Sequence, residues 1–197
     1  MARVLCVSLA LILSCLWTAS ASADSGWFYF AETEPGGTGH WYMRIDTKMP
    51  WEDAQAYAES LGSYLATITS QSENDFVWNN LVLNQDVNNP WLGGFQPPGT
   101  AEPDSGWEWV TGEAWSYTNW DPAQPQPDDY MGAQDRLVIY CDGGVRGGAV
   151  DGAWDDNDDM FAPGGRQFII ESTIAEPSSL ALLAVGVLGL LLKRKAR

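Results

Sequence analysis

Two amphipathic segments in the first half of the chain predict helices. The first carries apolar residues at the spacing of one helix face, at Trp51, Ala54, Ala58 and Leu61. Pro50 suits the first turn of this helix and Gly62 suits its end. The second segment begins with a capping-box sequence, Ser70–Glu73, and continues with apolar residues at Phe76, Val77 and Leu81. We therefore expect two helices, one beginning after Pro50 and one after Ser70.

Short runs of aromatic and β-branched residues predict the strands of a sheet. These runs cover residues 41–45, 64–68, 91–94, 107–112, 136–140 and 167–171. The connections between the later runs are long and rich in Gly, Pro and Asp, a composition typical of loops. The second half of the chain is therefore expected to consist of short strands joined by long loops.

The first 23 residues have the layout of a secretory signal peptide. Arg3 precedes a long apolar run, and the small residues Ala21–Ala23 suit a cleavage site before Asp24. A lipoprotein signal ending at Cys15 is the alternative, although Leu13 fits that motif poorly. Residues 1–23 are thus expected to be removed, which would leave a single domain over residues 24–175.

Residues 176–197 combine a short motif, an apolar run and a basic end. The motif is Glu176–Ser178, the run extends from Leu180 to Leu192, and Lys193–Arg197 closes the chain. A run of this length is about 20 Å long as a helix, shorter than the roughly 30 Å hydrocarbon core of a bilayer. This layout resembles the PEP-CTERM sorting signal of exported bacterial proteins, with Ala175 in place of the usual Pro. The resemblance implies processing by an exosortase and membrane contact only through this tail; a short tail anchor is the alternative.

The charge of the chain is concentrated in the predicted domain. All 26 acidic residues lie within residues 24–176, with only five of the ten basic residues, so this region has a net charge near −21. Nucleic-acid binding is excluded by this balance, because phosphate recognition requires Lys and Arg. The acidic surface favours bound cations and solubility outside the cell.

The domain contains one cysteine, Cys141, because Cys6 and Cys15 lie in the predicted leader. An intradomain disulfide is therefore impossible, although an exported location would permit one. The fold must be stabilised by packing, and bound metal is the other available source of stability.

Several segments together resemble the C-type lectin-like domain over about residues 39–171. The most specific are Trp51–Ala54, Leu65–Ile68, Glu73–Val77 and the Trp91–Gly94 strand. This resemblance implies an α+β fold with two helices, a small, mostly antiparallel sheet and a long loop region. Relatives usually carry two disulfides, and here Arg136 and Ile170 stand about where two of those cysteines would be.

Oxygen-bearing side chains cluster in two segments of the second half. Gln126 and Asp128 flank Pro127, which places an amide oxygen and a carboxylate on one side of a stiff turn. Asp155 and Asp156 follow Trp154 and are expected on loop backbone. Calcium takes roughly 6–8 oxygens from such groups.

The resemblance assigns a calcium and sugar site to these segments. Position by position, the implied ligands of the calcium ion and of the sugar hydroxyls are Gln126, Asp128, Gln134, Asp155 and Asp156. The Gln-Pro-Asp form accompanies galactose-type ligands in this family. A second calcium site is implied at Asp129, Asp135 and Asp104, for which exposed surface charge is the alternative.

Two positions depart from the family pattern. Gln134 replaces a usual Glu and Asp155 replaces a usual Asn, so the site keeps three carboxylates and calcium remains expected. An ionised Asp155 accepts hydrogen bonds but donates none, which affects galactose specificity more than calcium binding.

The sequence favours a calcium-dependent carbohydrate-binding module displayed on a bacterial surface or in exopolysaccharide. The alternative is a structural or protein-binding surface component that keeps the fold and binds no sugar. An enzyme is not expected, because His40 is the single histidine and Cys141 has no partner suggested by sequence. A zinc site would need His or Cys clusters, which are missing from the sequence.

Overall fold

The structure is a computed structural model that describes residues 24–141, 152–159 and 162–174. The predicted leader, the sorting tail and part of the Gly-rich connection before β7 lie outside these residues. In chain order, the strands are β1 (Phe28–Phe30), β2 (His40–Met49), β3 (Tyr64–Leu65), β4 (Trp91–Phe95), β5 (Glu108–Trp109), β6 (Arg136–Ile139), β7 (Trp154–Asn157) and β8 (Arg166–Ser172). The helices are α1 (Trp51–Ser60) and α2 (Gln71–Val77), the latter continued by a π-helical turn over Trp78–Val82, and a short 3-10 helix covers Tyr130–Gly132.

Both predicted helices are confirmed, with the expected start signals. Helix α1 follows Pro50 and buries Trp51, Ala54 and Ala58, and Gly62 just beyond its end has a left-handed φ of 70°. The side chain of Ser70 caps α2 by accepting the backbone N–H of Glu73 at 3.2 Å.

The capping box at α2 differs from the expected form in its second half. The carboxylate of Glu73 accepts the N–H of Thr69 at 2.7 Å, and its other oxygen accepts the hydroxyl of Tyr42 at 2.6 Å. Glu73 is thereby buried between helix and sheet instead of closing on Ser70.

The described strands form one sheet, in the order β1-β2-β8-β4-β6-β7, with β3 paired to β8 and β5 to β4. The β4–β8 pair is parallel and the remaining pairs are antiparallel. The α+β fold with a mostly antiparallel sheet is therefore confirmed. Two strand predictions were too long, since β3 and β5 each contain only two residues.

One site segment was assigned wrongly to a loop. Residues 154–157 form strand β7, which pairs along its whole length with β6. Two consecutive aspartates have low strand propensity, but hydrogen bonding to the apolar β6 outweighs it. The two aspartates are consequently fixed on a strand rather than on a flexible loop.

The apolar core lies on both faces of the sheet. One cluster contains α2 residues and the rings of Trp107, Trp109 and Trp154, and the other packs α1 against Trp91 and Phe168. The ring of Trp154 is fully buried and meets those of Trp109 and Trp120 edge to face, with centroids 5.7 and 5.9 Å apart. These rings attach the long loop region to β7.

A polar network crosses the buried face of the sheet near α2. Glu171 on β8 accepts hydrogen bonds from His40 at 2.5 Å and from the backbone N–H of Thr67 at 2.8 Å. The hydroxyls of Tyr42 and Tyr64 also point to Glu171. His40 thus has a structural partner.

Ile170 and Arg136 stand where relatives usually carry cysteines, and each is held by other interactions. Ile170 is fully buried beside α1, and Arg136 lies over the ring of Trp51 at 4.6 Å while it pairs with Glu52 at 2.6 Å. Cys141 is half-buried, and its sulfur accepts the backbone N–H of Asn89 at 2.8 Å. No helix in the described part of the chain is long and apolar enough to cross a membrane.

Candidate functional site

Strand β7 organises the loop that carries most of the predicted ligands. The backbone of Trp154 donates to the carbonyl of Asn119 at 2.7 Å and accepts the N–H of Asp121 at 2.9 Å. Further along, the two carboxylate oxygens of Asp156 accept the N–H groups of Asp128 and Asp129, at 3.0 and 2.7 Å. The Gln-Pro-Asp loop is therefore held directly against the predicted Asp155–Asp156 pair.

Gln126 presents an acceptor that has no hydrogen-bond partner among the described residues. Its amide oxygen is buried and makes no hydrogen bond to them, while its backbone N–H binds the carbonyl of Asp121 at 3.2 Å. The Gln126–Pro127 peptide bond is cis. A buried acceptor left without a partner is costly, and a cation or a hydroxyl donor would remove that cost.

Asp155 and Asp156 are buried acids with raised pKa values. Burial is the largest cause for both, and it raises the pKa of Asp155 to about 7 and that of Asp156 to about 6. The negative charge of Asp128 adds to both shifts, and Asp156 also raises the pKa of Asp155. A bound cation would offset this repulsion.

Gln134 joins the loop to the strand through both ends of its amide. Its oxygen accepts the N–H of Tyr130 at 2.6 Å, and its NH₂ donates to the carbonyl of Asp156 at 2.7 Å. Its own backbone N–H donates to Asp129 at 3.1 Å. The amide oxygen expected to bind calcium is thus already in use within the protein.

The predicted second site is brought together only in part. Asp129 lies at the loop, and Asp135 pairs with Arg136 at 2.9 Å, while burial raises the pKa of Asp135. Asp104 is exposed, and its one described contact is with the neighbouring Ser105 at 3.4 Å.

Glu102 is an acid that interacts with Asp129 and Asp135. Burial is the main cause of its raised pKa, and the charges of Asp129 and Asp135 contribute. The sequence could have suggested Glu102 as a candidate for the second site, since it is an acid two positions before Asp104.

The predicted ligands do not form a closed metal cage. Among residues 24–141, 152–159 and 162–174, no group of three or more Asp, Glu, His or Cys side chains is arranged to hold a metal ion. Asp156 is oriented toward the loop N–H groups and Gln134 toward Tyr130, which explains the open arrangement. The donor chemistry of an amide oxygen and three carboxylates nevertheless fits calcium.

Sequence reasoning also missed an exposed aromatic residue beside the site. Tyr130 follows the Gln-Pro-Asp-Asp segment directly, and 58% of its surface is exposed. Its backbone is fixed by the bonds of its N–H to Gln134 and Asp128. Its position in the sequence, immediately after the predicted ligands, was the available signal.

The profile of the Lectin C-type domain matches residues 47–157, which include the helices and both site segments. This chain belongs to the C-type lectin domain family. A second profile, the PEP-CTERM protein-sorting motif, matches residues 174–195 and confirms the predicted sorting signal. Both resemblances inferred from the sequence are therefore confirmed.

Three lectin relatives show how much of the chain is shared. Lectin BRA-3 of Megabalanus rosa is 33% identical over 61% of this chain and 65% of that protein. A lectin of Pleurodeles waltl is 32% identical over 46% of this chain and 54% of that protein. Ladderlectin of Oncorhynchus mykiss is 29% identical over 51% of this chain and 48% of ladderlectin. The match thus spans between about half and two thirds of the length of these relatives.

Solved structures support the fold of this C-type lectin domain. The SPL-1–GlcNAc complex has a TM-score of 0.56 at 21% identity, covering 80% of this chain and 99% of that chain. The mouse scavenger receptor C-type lectin carbohydrate-recognition domain has a TM-score of 0.54 at 24% identity, covering 74% and 92%. A calcium-independent type II antifreeze protein also has a TM-score of 0.54, at 22% identity, covering 75% and 91%. The fold therefore occurs both with a bound sugar and in a protein that does not depend on calcium.

Proposed function

We propose that this C-type lectin domain is exported and binds carbohydrate through a calcium ion held between the Gln-Pro-Asp loop and β7. The observation that carries the proposal is the buried amide oxygen of Gln126, which has no partner in the described part of the chain, in a loop with mutually repelling carboxylates. Gln126, Asp128 and Asp155 are the side chains best placed to hold the ion. Asp156 and Gln134 complete the set of calcium ligands once their side-chain oxygens give up their hydrogen bonds within the protein and bind the ion instead.

The ion and its ligands together suit a pair of neighbouring sugar hydroxyls. Bound calcium supplies open coordination positions for two such hydroxyls, and the surrounding carboxylates accept hydrogen bonds from the same hydroxyls. The Gln-Pro-Asp form favours a galactose-type ligand. With calcium bound and Asp155 ionised, its carboxylate accepts hydrogen bonds and donates none, so this chain is expected to prefer sugars whose hydroxyls all act as donors there.

Tyr130 supplies an apolar contact for the same ligand. Its ring is largely exposed at the loop, where it can pack against the C–H face of a sugar. The two bonds of its N–H keep the loop backbone in one position. We infer that the ring selects sugars with a flat apolar face.

The orientation of the domain supports display away from the cell. Strand β8 begins near the candidate site, where Arg166 donates a hydrogen bond to the side-chain oxygen of Asn157 at 2.8 Å. The strand ends at Ser172, just before the sorting motif. The length of β8, about 20 Å, separates the two ends. We propose a mature chain of residues 24–175 on the bacterial surface or in exopolysaccharide, after removal of the leader and exosortase processing.

A second candidate function is a surface component that keeps the fold without calcium or sugar. The specific observation in its favour is that Asp156 and Gln134 already have hydrogen-bond partners: the Asp156 carboxylate binds two loop N–H groups, and the Gln134 amide donates to the Asp156 carbonyl. The antifreeze protein of similar fold shows that this architecture does not require calcium. Enzymatic activity is not part of either proposal, since the relatives are lectins.

A glycan array probed with the exported protein tests the proposed function. We expect binding to galactose-type glycans in calcium, with the signal removed by a chelator and restored by added calcium. Binding that persists in chelator would reject the calcium-dependent site, and no binding to any glycan would favour the second candidate. Intact-mass measurement of protein from its native host checks the proposed ends at residues 24 and 175.

A further inference from the structure

An exposed aromatic edge lies where the described chain meets the sorting motif. Tyr29 on β1 pairs with Trp41 on β2, and Trp41 pairs with Ser172 on β8, so these side chains share one face of the sheet. The rings of Tyr29 and Trp41 are in contact, with centroids 4.7 Å apart. Ile174 turns back onto Ser172, whose hydroxyl accepts its N–H at 3.1 Å.

This aromatic edge, defined by Tyr29, Trp41 and Ile174, is partly open to solvent, with Trp41 half-buried. Tyr29 is 44% exposed and Ile174 is 47% exposed, which makes them two of the few large apolar side chains exposed in the described part of the chain. Exposed rings at the start of a membrane-directed segment are typical of the lipid interface, where the polar tip and apolar body of Tyr and Trp are both satisfied.

The segment between the end of β8 and the apolar run of the tail is short, which limits how far this edge can lie from the membrane. Ile174 is the first residue of the sorting motif, and the apolar run begins at Leu180, six residues later. Six extended residues span at most about 20 Å. While the tail is in the bilayer, this end of the folded domain must therefore remain close to the headgroup layer, which is about 5–8 Å thick on each side.

We propose that the aromatic edge rests on the lipid headgroup layer while the sorting tail is retained. The candidate sugar site then faces away from the membrane, because it lies at the opposite end of β8. The inference does not depend on sugar or calcium binding. The net charge near −21 opposes contact with anionic lipid, so the edge should prefer a zwitterionic surface.

Two single-cysteine proteins of residues 24–197, which retain the tail and lack Cys6 and Cys15 of the leader, test this contact, each with Cys141→Ser to remove the remaining native thiol. One carries Tyr29→Cys at the aromatic edge, and the other carries Tyr130→Cys at the far end as a matched control. Each is labelled with an environment-sensitive fluorophore and reconstituted in phosphatidylcholine vesicles that contain headgroup spin-labelled lipid. We expect a blue shift and several-fold stronger quenching at position 29, and neither change at position 130.

Three outcomes would overturn the proposal. Equal responses at both positions, or none at position 29, would show that the edge does not face the lipid. A shift at position 29 that rises with protein concentration without vesicles would identify a second copy of the chain as the partner. Stronger quenching at position 29 in phosphatidylglycerol than in phosphatidylcholine vesicles would contradict the expected preference of the acidic domain for a zwitterionic surface.

Discussion

Individual side chains at the candidate site have two tasks, since they build the loop and they offer oxygens to a ligand. Asp156 shows the first task, because its carboxylate holds the N–H groups of Asp128 and Asp129. Gln126 shows the second, because its buried amide oxygen has no hydrogen-bond partner within the residues that the structure describes. Substitutions that leave the loop intact can therefore separate ligand binding from folding.

Asp128→Ala is expected to weaken calcium binding at least about tenfold, or about 1.4 kcal/mol. The change removes a charged, exposed oxygen donor and leaves the loop bonds to Asp156 in place, because those use backbone N–H groups. Calorimetric titration with calcium measures the effect. Asp75→Ala is the matched control, an exposed acid on α2 whose described bond is to Gln71. Equal affinities for the two variants would reject the ligand assignment.

Tyr130→Ser is expected to weaken sugar binding while calcium affinity stays unchanged. The substitution removes the exposed ring and keeps the backbone N–H that binds Gln134. Met131→Ser serves as control, since its side chain is 71% exposed in the same loop and has no aromatic face. If both variants bind the sugar alike, the ring makes no contact with the ligand.

At the level of elements, the helices were predictable and the site strand was not. Pro50, Ser70 and Glu73 act locally, within one turn of their helices, so sequence alone locates α1 and α2. Strand β7 depends on its pairing with β6, which is separated from it by the long Gly-rich connection, and such pairing leaves no local pattern. The proposed loop ligands were identified from the family resemblance, whereas the bonds that occupy Gln134 and Asp156 required coordinates.

The contact between β2 and β8 through His40 and Glu171 makes stability depend on pH. The hydrogen bond to Glu171 is the main cause of the raised pKa of His40, and burial opposes it. Because the folded-state pKa exceeds the unfolded value of about 6.5, the charged form of His40 stabilises the fold below that pH for as long as Glu171, whose own pKa is raised by burial, stays ionised. The contribution is lost as pH rises through the folded-state pKa.

His40→Asn should therefore cost more stability at pH 6 than at pH 9. A hydrogen bond between charged groups of this kind contributes about 1.5–3 kcal/mol, and that is the loss expected at pH 6. Urea unfolding of wild type and variant at the two pH values measures the difference. A cost that is the same at both would mean that His40 is neutral in the folded protein.

For the whole molecule, acidic charge and the absence of a disulfide make a bound cation a source of stability. The region of residues 24–176 has a net charge near −21, and Cys141 is its single cysteine. Empty acidic loops repel one another, and no bridge restricts the unfolded chain. A cation bound only by the folded state would offset both effects.

Calcium is expected to raise the melting temperature by about 5–10 °C at a hundredfold excess over Kd, which corresponds to about 2.7 kcal/mol. Magnesium should have a smaller effect, because it tolerates irregular geometry poorly and the ligands come from separate segments. Thermal melts in chelator, calcium and magnesium measure the shifts. Coinciding calcium and chelator curves at millimolar metal would identify the loops as merely acidic surface.

The central claim, that a calcium ion held by the Gln-Pro-Asp loop and β7 carries the sugar, is tested most directly by titrating a simple galactoside into the protein. The titration is made in calcium, in chelator and with Asp128→Ala in calcium. We predict measurable binding by the wild type in calcium alone, and none in the other two conditions. Equal binding in calcium and in chelator would contradict the claim, as would full binding by the Asp128→Ala variant.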